Sequence, residues 1–178
     1  DGPLDYAFTI FCLVGGANAF NLIDGLDGLA GGVGVIAGAT IFFMARNAGH
    51  VDAAVLAAAL TGAAVGLAWF NLPPARVFMG DSGSNLLGFG LAATPLLLSH
   101  GAGGFGEFSA GIAVLAVPIA ETATTIARRL MRGGSPLKGD LNHIHHRLLR
   151  QGMPVGGVLA VFYVTTLAIS AVVLFGND

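Results

Sequence analysis

Long uncharged stretches alternate with short polar breaks along the chain. Residues 4–20 form the first stretch, interrupted by Asp5. Residues 28–45, 53–70 and 84–99 follow, then 108–128, broken by Glu121, and finally 155–175. A helix needs about 20 mainly apolar residues to cross the hydrocarbon of a bilayer. Some stretches fall slightly short of that length, yet six crossings is the count the pattern predicts. Most lack a polar face, which weighs against helices packed in a water-soluble bundle. No internal repeat, low-complexity tract or linker divides the sequence. The expected fold is therefore all-α, a polytopic membrane helical bundle of about six transmembrane helices forming a single domain over residues 1–178.

Composition sharpens this reading. The 178 residues are 54% hydrophobic and 10% charged, with a mean hydropathy of +0.78, whereas soluble domains carry about 25% charged residues. The abundant Gly and Ala suit close helix packing in lipid, where small residues let backbones approach. The lone Cys12 excludes a disulfide within the chain and is expected to pack, not react. The chain begins at Asp1, and no basic segment with a cleavage site precedes the first apolar run, so no signal peptide is expected. The chain reads as a piece of a longer protein.

Loops joining successive spans alternate sides, so the first, third and fifth share one face. Arg76 lies in the third loop. Arg128, Arg129, Arg132, Lys138, Arg147 and Arg150 lie in or beside the fifth, and only Arg46 falls in an even loop. The excess of cytoplasmic Lys and Arg seen in membrane proteins makes the odd-loop face cytoplasmic and sets both termini outside. The expected location is the cell's inner (plasma) membrane. Trp69 and Phe70 sit at a span end, where aromatic belts form.

Every concentration of polar chemistry falls on that same face. The first loop region reads NAFNLIDGLDGLAGG, residues 17–31. Its Asp24 and Asp27 are spaced i, i+3 and share a face in a helical turn. Beside Asn18 and Asn21, the two carboxylates suit a hydrated divalent cation or sugar hydroxyls; magnesium typically takes one or two carboxylates plus substrate phosphates. A polar helix cap is the plainer reading of a single Asp, but two carboxylates at a membrane surface favour function because such groups are costly there. The third loop reads NLPPARVFMGDSGSN, residues 71–85. Asp81 sits among Gly and Ser at the start of the fourth span, where backbone N–H groups favour an anion. GDSGS also resembles the surroundings of some serine-protease nucleophiles, but no soluble β-rich domain accompanies it. Phe78 suits either a stacked base or insertion into lipid. The fifth loop holds His143, His145 and His146 beside Arg147. The spacing is not the helical zinc pair and no cysteine joins it. Imidazoles next to arginines suit phosphate oxygens, as donors or as a proton relay. Arg128, Arg129 and Arg132 are explained by topology alone, and Glu121 is expected to pair with Arg128 or Arg129.

The ordered set of three motifs, at residues 17–31, 71–84 and 128–148, resembles the polyprenyl-phosphate N-acetylhexosamine-1-phosphate transferases. Their superfamily also holds the phospho-MurNAc-pentapeptide transferase of peptidoglycan synthesis. The resemblance covers nearly the whole chain. It implies transfer of a sugar 1-phosphate, most simply GlcNAc-1-phosphate, from a UDP-N-acetylhexosamine to polyprenyl (undecaprenyl) phosphate. UMP is released, and magnesium, or manganese in its place, is the implied cofactor. By motif, Asp81 corresponds to a metal-binding catalytic aspartate. Asn18, Asn21, Asp24 and Asp27 match residues that hold the nucleotide end of the donor. Phe78 would stack on uracil with Asn71 nearby. His143, His145 and His146, with Arg147, match the motif expected around the phosphates. The family also carries an adjacent aspartate pair on an earlier cytoplasmic loop and about ten or eleven spans. No Asp-Asp pair occurs here, which implies a carboxy-terminal part that is inactive alone.

Two other classes compete. A transporter using Asp24, Asp27 and Glu121 as an ion path would place them near the bilayer midplane, whereas these carboxylates gather at one surface. A non-catalytic membrane partner derived from such an enzyme fits the missing aspartate pair. No nucleic-acid partner is indicated, and a homo-oligomer is compatible with the sequence. Within the superfamily, the interrupted His-Ile-His-His order and the short fifth loop favour a compact N-acetylhexosamine over a lactyl-pentapeptide donor.

Overall fold

The computed structural model of the protein describes residues 2–100, 104–131, 133 and 143–176. Arg132 and Lys138 of the basic fifth loop lie outside the described residues. Every regular element among the described residues is helical: α1 (Pro3–Ile23), α2 (Leu29–Asn47), α3 (Val51–Asn71), α4 (Gly80–Leu98), α5 (Gly104–Val114), α6 (Ala116–Met131), α7 (Ile144–Arg150) and α8 (Val155–Phe175).

Among the described residues, four helices, α1, α2, α3 and α8, are long and apolar enough to cross a membrane, and the count reaches five if α5 and α6 make one broken span. The expected count of six is not confirmed. The run predicted over 84–99 does form α4, but α4 starts at Gly80, and its first residues, GDSGSN, dilute its apolar character. The span predicted over 108–128 bends by 72° between α5 and α6. Pro118 lies in the first turn of α6. It has no N–H to donate to the carbonyl of Val114, and its ring crowds that carbonyl, so the helix breaks at Leu115.

The core forms around α2. Leu29, Ala30, Val33, Ala37 and Ile41 are fully buried and pack in one cluster with Phe20 and Ile23 of α1, Leu87 and Leu91 of α4, and Val158 and Phe162 of α8. Outward residues such as Leu4, Phe11 and Val164 are exposed and apolar, as a surface facing hydrocarbon requires, since lipid tails are as apolar as Leu. Helices in lipid must gain their contact from packing, and α1 and α4 do so by backbone approach. They run antiparallel, and a Cβ on Gly88 would overlap the carbonyl oxygen of Gly16 and stand 2.8 Å from Phe20 Cβ. The α1–α4 and α2–α3 pairs are the most extensive helix contacts. This arrangement gathers the carboxyl ends of α1, α3 and α6 and the amino ends of α2, α4 and α8 at one end of the bundle.

Gly88→Ala is expected to destabilise the fold by about 1–3 kcal/mol, the usual cost of inserting a group into a packed contact. Gly62→Ala on α3, where an added Cβ meets nothing within 4 Å, should leave melting unchanged. Thermal unfolding in detergent checks both; equal melting of Gly88→Ala and the parent would contradict the packing.

Candidate functional site

The chain leaves α1 at Asp24 and enters α2 at Leu29 through a tight turn. Gly28 caps α2 with φ of +80°, a left-handed conformation that glycine adopts without steric cost. Its backbone is held from two sides. The Gly28 N–H donates to Asn71 Oδ1 at 3.0 Å, and its carbonyl accepts from the Tyr163 hydroxyl at 2.6 Å. The Asn71 amide in turn donates to the Val77 carbonyl at 2.9 Å. Asn71 is only 3% exposed, so its amide is spent on joining the first loop to the third. Asp27 makes a second join, accepting the Ala75 N–H at 3.0 Å. The pair read from its i, i+3 spacing thus divides its work: Asp27 ties the loops together, and Asp24 faces the polar end of α4.

That end is organised by Asn21. Its amide nitrogen donates to Asp81 Oδ1 at 3.0 Å and lies 3.2 Å from the Ser84 hydroxyl oxygen, and the Ser84 hydroxyl donates back to the Gly80 carbonyl at 3.0 Å. Burial and then the charge of Asp81 push the Asp24 carboxyl from 3.8 up to about 6. Two carboxylates close enough to repel, with an amide between the helices, form an oxygen-rich corner. Asp81 itself is exposed, as are Asn18, one turn before Asn21, and Phe78, at 71%. The sequence-predicted residues of the first and third loops therefore converge.

The histidines close a second side. His143 and His145 are buried and His146 is half-buried, with ring centroids of His145 and His146 only 4.3 Å apart. A Cβ on Gly25 would stand 2.9 Å from His145 Nε2, so the cluster abuts the first loop directly. Burial, with the neighbouring imidazoles, pulls His145 down from 6.5 to about 4, leaving it neutral near pH 7; His146 is also lowered, chiefly by burial. Arg147 is exposed beside them. Glu121, expected to pair with Arg128 or Arg129, instead accepts the Ile144 N–H and lies 3.4 Å from His143 Nδ1 and 3.7 Å from His145 Nδ1. Burial explains the change, because a fully enclosed carboxylate needs donors inside the protein. Arg128 donates to the Thr125 hydroxyl at 2.9 Å. Sequence reasoning missed Tyr163, whose only signal was a phenol inside an apolar run.

The sequence profile of the family described as "Glycosyl transferase family 4" matches residues 2–99, which contain the first and third loops. A probable undecaprenyl-phosphate N-acetylglucosaminyl 1-phosphate transferase of Bacillus subtilis (strain 168) is 37% identical over 97% of this chain and 49% of its own length. An undecaprenyl-phosphate alpha-N-acetylglucosaminyl 1-phosphate transferase of Escherichia coli (strain K12) is 33% identical over 85% of this chain and 42% of its own. A decaprenyl-phosphate N-acetylglucosaminephosphotransferase of Mycolicibacterium smegmatis is 37% identical over 81% and 40%. The chain thus spans about half the length of the curated relatives it matches.

The raised Asp24 carboxyl sets a pH dependence. Below its unfolded value of 3.8 its contribution to stability is fully present, and it is lost as pH rises through about 6. The lowered His145 acts with the opposite sign, its contribution being lost as pH falls from 6.5 towards 4. The comparison of Asp24→Asn with the parent isolates the first effect. In metal-free buffer, the melting temperature of Asp24→Asn relative to the parent should climb between pH 4 and 7. A difference that stays flat across that range would contradict the Asp24 environment.

Proposed function

The chain belongs to glycosyl transferase family 4, and we propose that the complete protein transfers N-acetylglucosamine 1-phosphate from a UDP-sugar to a polyprenyl phosphate, releasing UMP. What supports this reading is the meeting of three polar loops at one end of an apolar bundle, with Asn21, Asp24 and Asp81 on one side and the imidazoles of residues 143–146 against Gly25 on the other. The named relatives supply the sugar and the lipid class. In this reading residues 1–178 are one integral membrane domain, the carboxy-terminal part of the enzyme. The loops face the cytoplasm of a cell whose inner membrane holds the lipid acceptor.

The reaction forms a bond from an acceptor oxygen to the sugar-bearing phosphorus and breaks the diphosphate bridge, with UMP as leaving group. Such transfer relies on positioning and charge neutralisation more than on covalent chemistry by the protein. Asn18, Asn21 and Asp27 hold the nucleotide end of the donor, Phe78 offers an exposed ring for uracil, and Asn71 keeps the first and third loops in register. His146 and Arg147, the more accessible members of their cluster, donate to phosphate oxygens, with His143 and His145 behind them.

The donor set also suits magnesium. Among the described residues no group of three His, Cys, Asp or Glu side chains forms a metal cage. Magnesium does not need one, since it is commonly held by one or two carboxylates plus water and phosphate oxygens. Asp81, with Asp24 beside it, would hold the ion, and the repulsion between the two carboxylates is what a cation would relieve. When bound, the ion neutralises charge on the diphosphate.

Asp81→Asn in the complete protein should lower turnover by at least about 100-fold, or about 2.7 kcal/mol, with melting unchanged. His146→Ala should lower it by about tenfold or more. The assay is transfer of radiolabelled sugar phosphate to undecaprenyl phosphate, with UDP-GlcNAc and UDP-MurNAc-pentapeptide offered separately. Ordinary activity in Asp81→Asn would remove that residue from the site, and preference for the pentapeptide donor would reject the sugar assignment.

A further inference from the structure

Glu121 is the one carboxylate among the described residues with no exposed surface. It sits on α6, three residues after the proline that bends the α5–α6 pair. A buried carboxylate is costly unless donors compensate it; its Oε2 has no hydrogen-bond partner, so the compensation falls to Oε1. Oε1 accepts the N–H of Ile144, the first residue of α7. That N–H belongs to the orphan set at a helix start, and His143, the capping residue, supplies no side-chain acceptor of its own. The same oxygen lies 3.4 Å from His143 Nδ1 and 3.7 Å from His145 Nδ1. Thr125, one turn further along α6, brings its hydroxyl to 3.3 Å from His143 Nδ1.

We infer that Glu121 is a positioning residue: its Oε1 fixes the start of α7 and turns the Nδ1 edge of His143 towards α6. The inference rests on the transferase reading only for its consequence in turnover. A carboxylate on the Nδ1 side selects the tautomer that carries its proton on Nδ1. The Nε2 atom is then left as an acceptor. Neither ring nitrogen of His145 has a hydrogen-bond partner, and its Nε2 points at the first loop, 2.9 Å from where a Gly25 side chain would begin. Histidines in metal sites are oriented by the same device, in which a second partner fixes the ring and raises the basicity of the working nitrogen. Here the constraint crosses from α6 to α7 and couples the bent helix to the loop-one wall of the site.

Two variants separate reach from charge. Glu121→Gln keeps an oxygen acceptor at the same distance and removes the charge. Glu121→Asp keeps the charge and withdraws the oxygen by one methylene. The complete protein, labelled with 15N-histidine, reports the tautomer of each imidazole by its nitrogen shifts, independently of activity. The Nδ1–H form of His143 should dominate in the parent and in Glu121→Gln, and give way to a mixture in Glu121→Asp. Turnover should follow the same order. Glu121→Gln should stay within about threefold of the parent, and Glu121→Asp should lose about tenfold or more in kcat, with KM for the UDP-sugar changed by less than about threefold. A His143 tautomer that is unchanged in Glu121→Asp, or a Glu121→Gln protein as impaired as Glu121→Asp, would overturn the inference. If the parent shows no transfer at all, the function proposed above fails, while the nitrogen shifts still decide the role of Glu121.

Discussion

The rest of the structure depends on the contact of two backbones, α1 against α4 at Gly16 and Gly88. No side chain separates them, so the helices have little freedom to slide or roll. One turn further along, the same pair carries Asn21 opposite Asp81 and Ser84. The oxygen-rich corner is therefore a consequence of helix packing. In a bilayer, where burying apolar surface between helices brings little gain, contact of this kind is what fixes geometry.

The loops inherit their order from that frame. Asn71 and Asp27 use side-chain groups to satisfy backbone donors and acceptors of Gly28, Ala75 and Val77, so two loops distant in sequence behave as one wall. Tyr163 adds a third anchor from α8. His145 and His146 then meet this wall at Gly25, with Glu121 on the far side of His143 and His145. Residues that would touch a substrate are exposed, namely Asp81, Phe78, Arg147 and Asn18. Those that hold them in place, Asn71, Glu121 and His145, are buried. This division between reachable and supporting groups is the arrangement a preorganised phosphoryl-transfer site needs.

Much of this was legible in the chain itself. Apolar length located α1, α2, α3 and α8, and the ordered polar motifs identified which loops share an end of the bundle. Pairing was harder to read. Asp24 and Asp27 look equivalent by spacing, yet one caps a neighbouring loop and the other faces Asp81, because their surroundings come from α3 and α4. Glu121 lies within a turn or two of two arginines in sequence, but its partners come from a segment more than twenty residues away. The bend at Leu115 depends on a single proline three residues later, which an apolar-length criterion passes over. Tyr163 carries no local pattern that marks it as an anchor.

In the proposed function the first, third and fifth loops enclose one nucleotide-sugar site. Photolabelling the complete protein with an azido-uridine analogue of UDP-GlcNAc, followed by peptide mapping, tests it most directly. Labels should fall within residues 18–28, 71–84 and 143–147, and excess UDP-GlcNAc should suppress them. Labels concentrated at the opposite end of the bundle, around residues 46–52 and 99–107, or labelling that UDP-GlcNAc does not suppress, would contradict it.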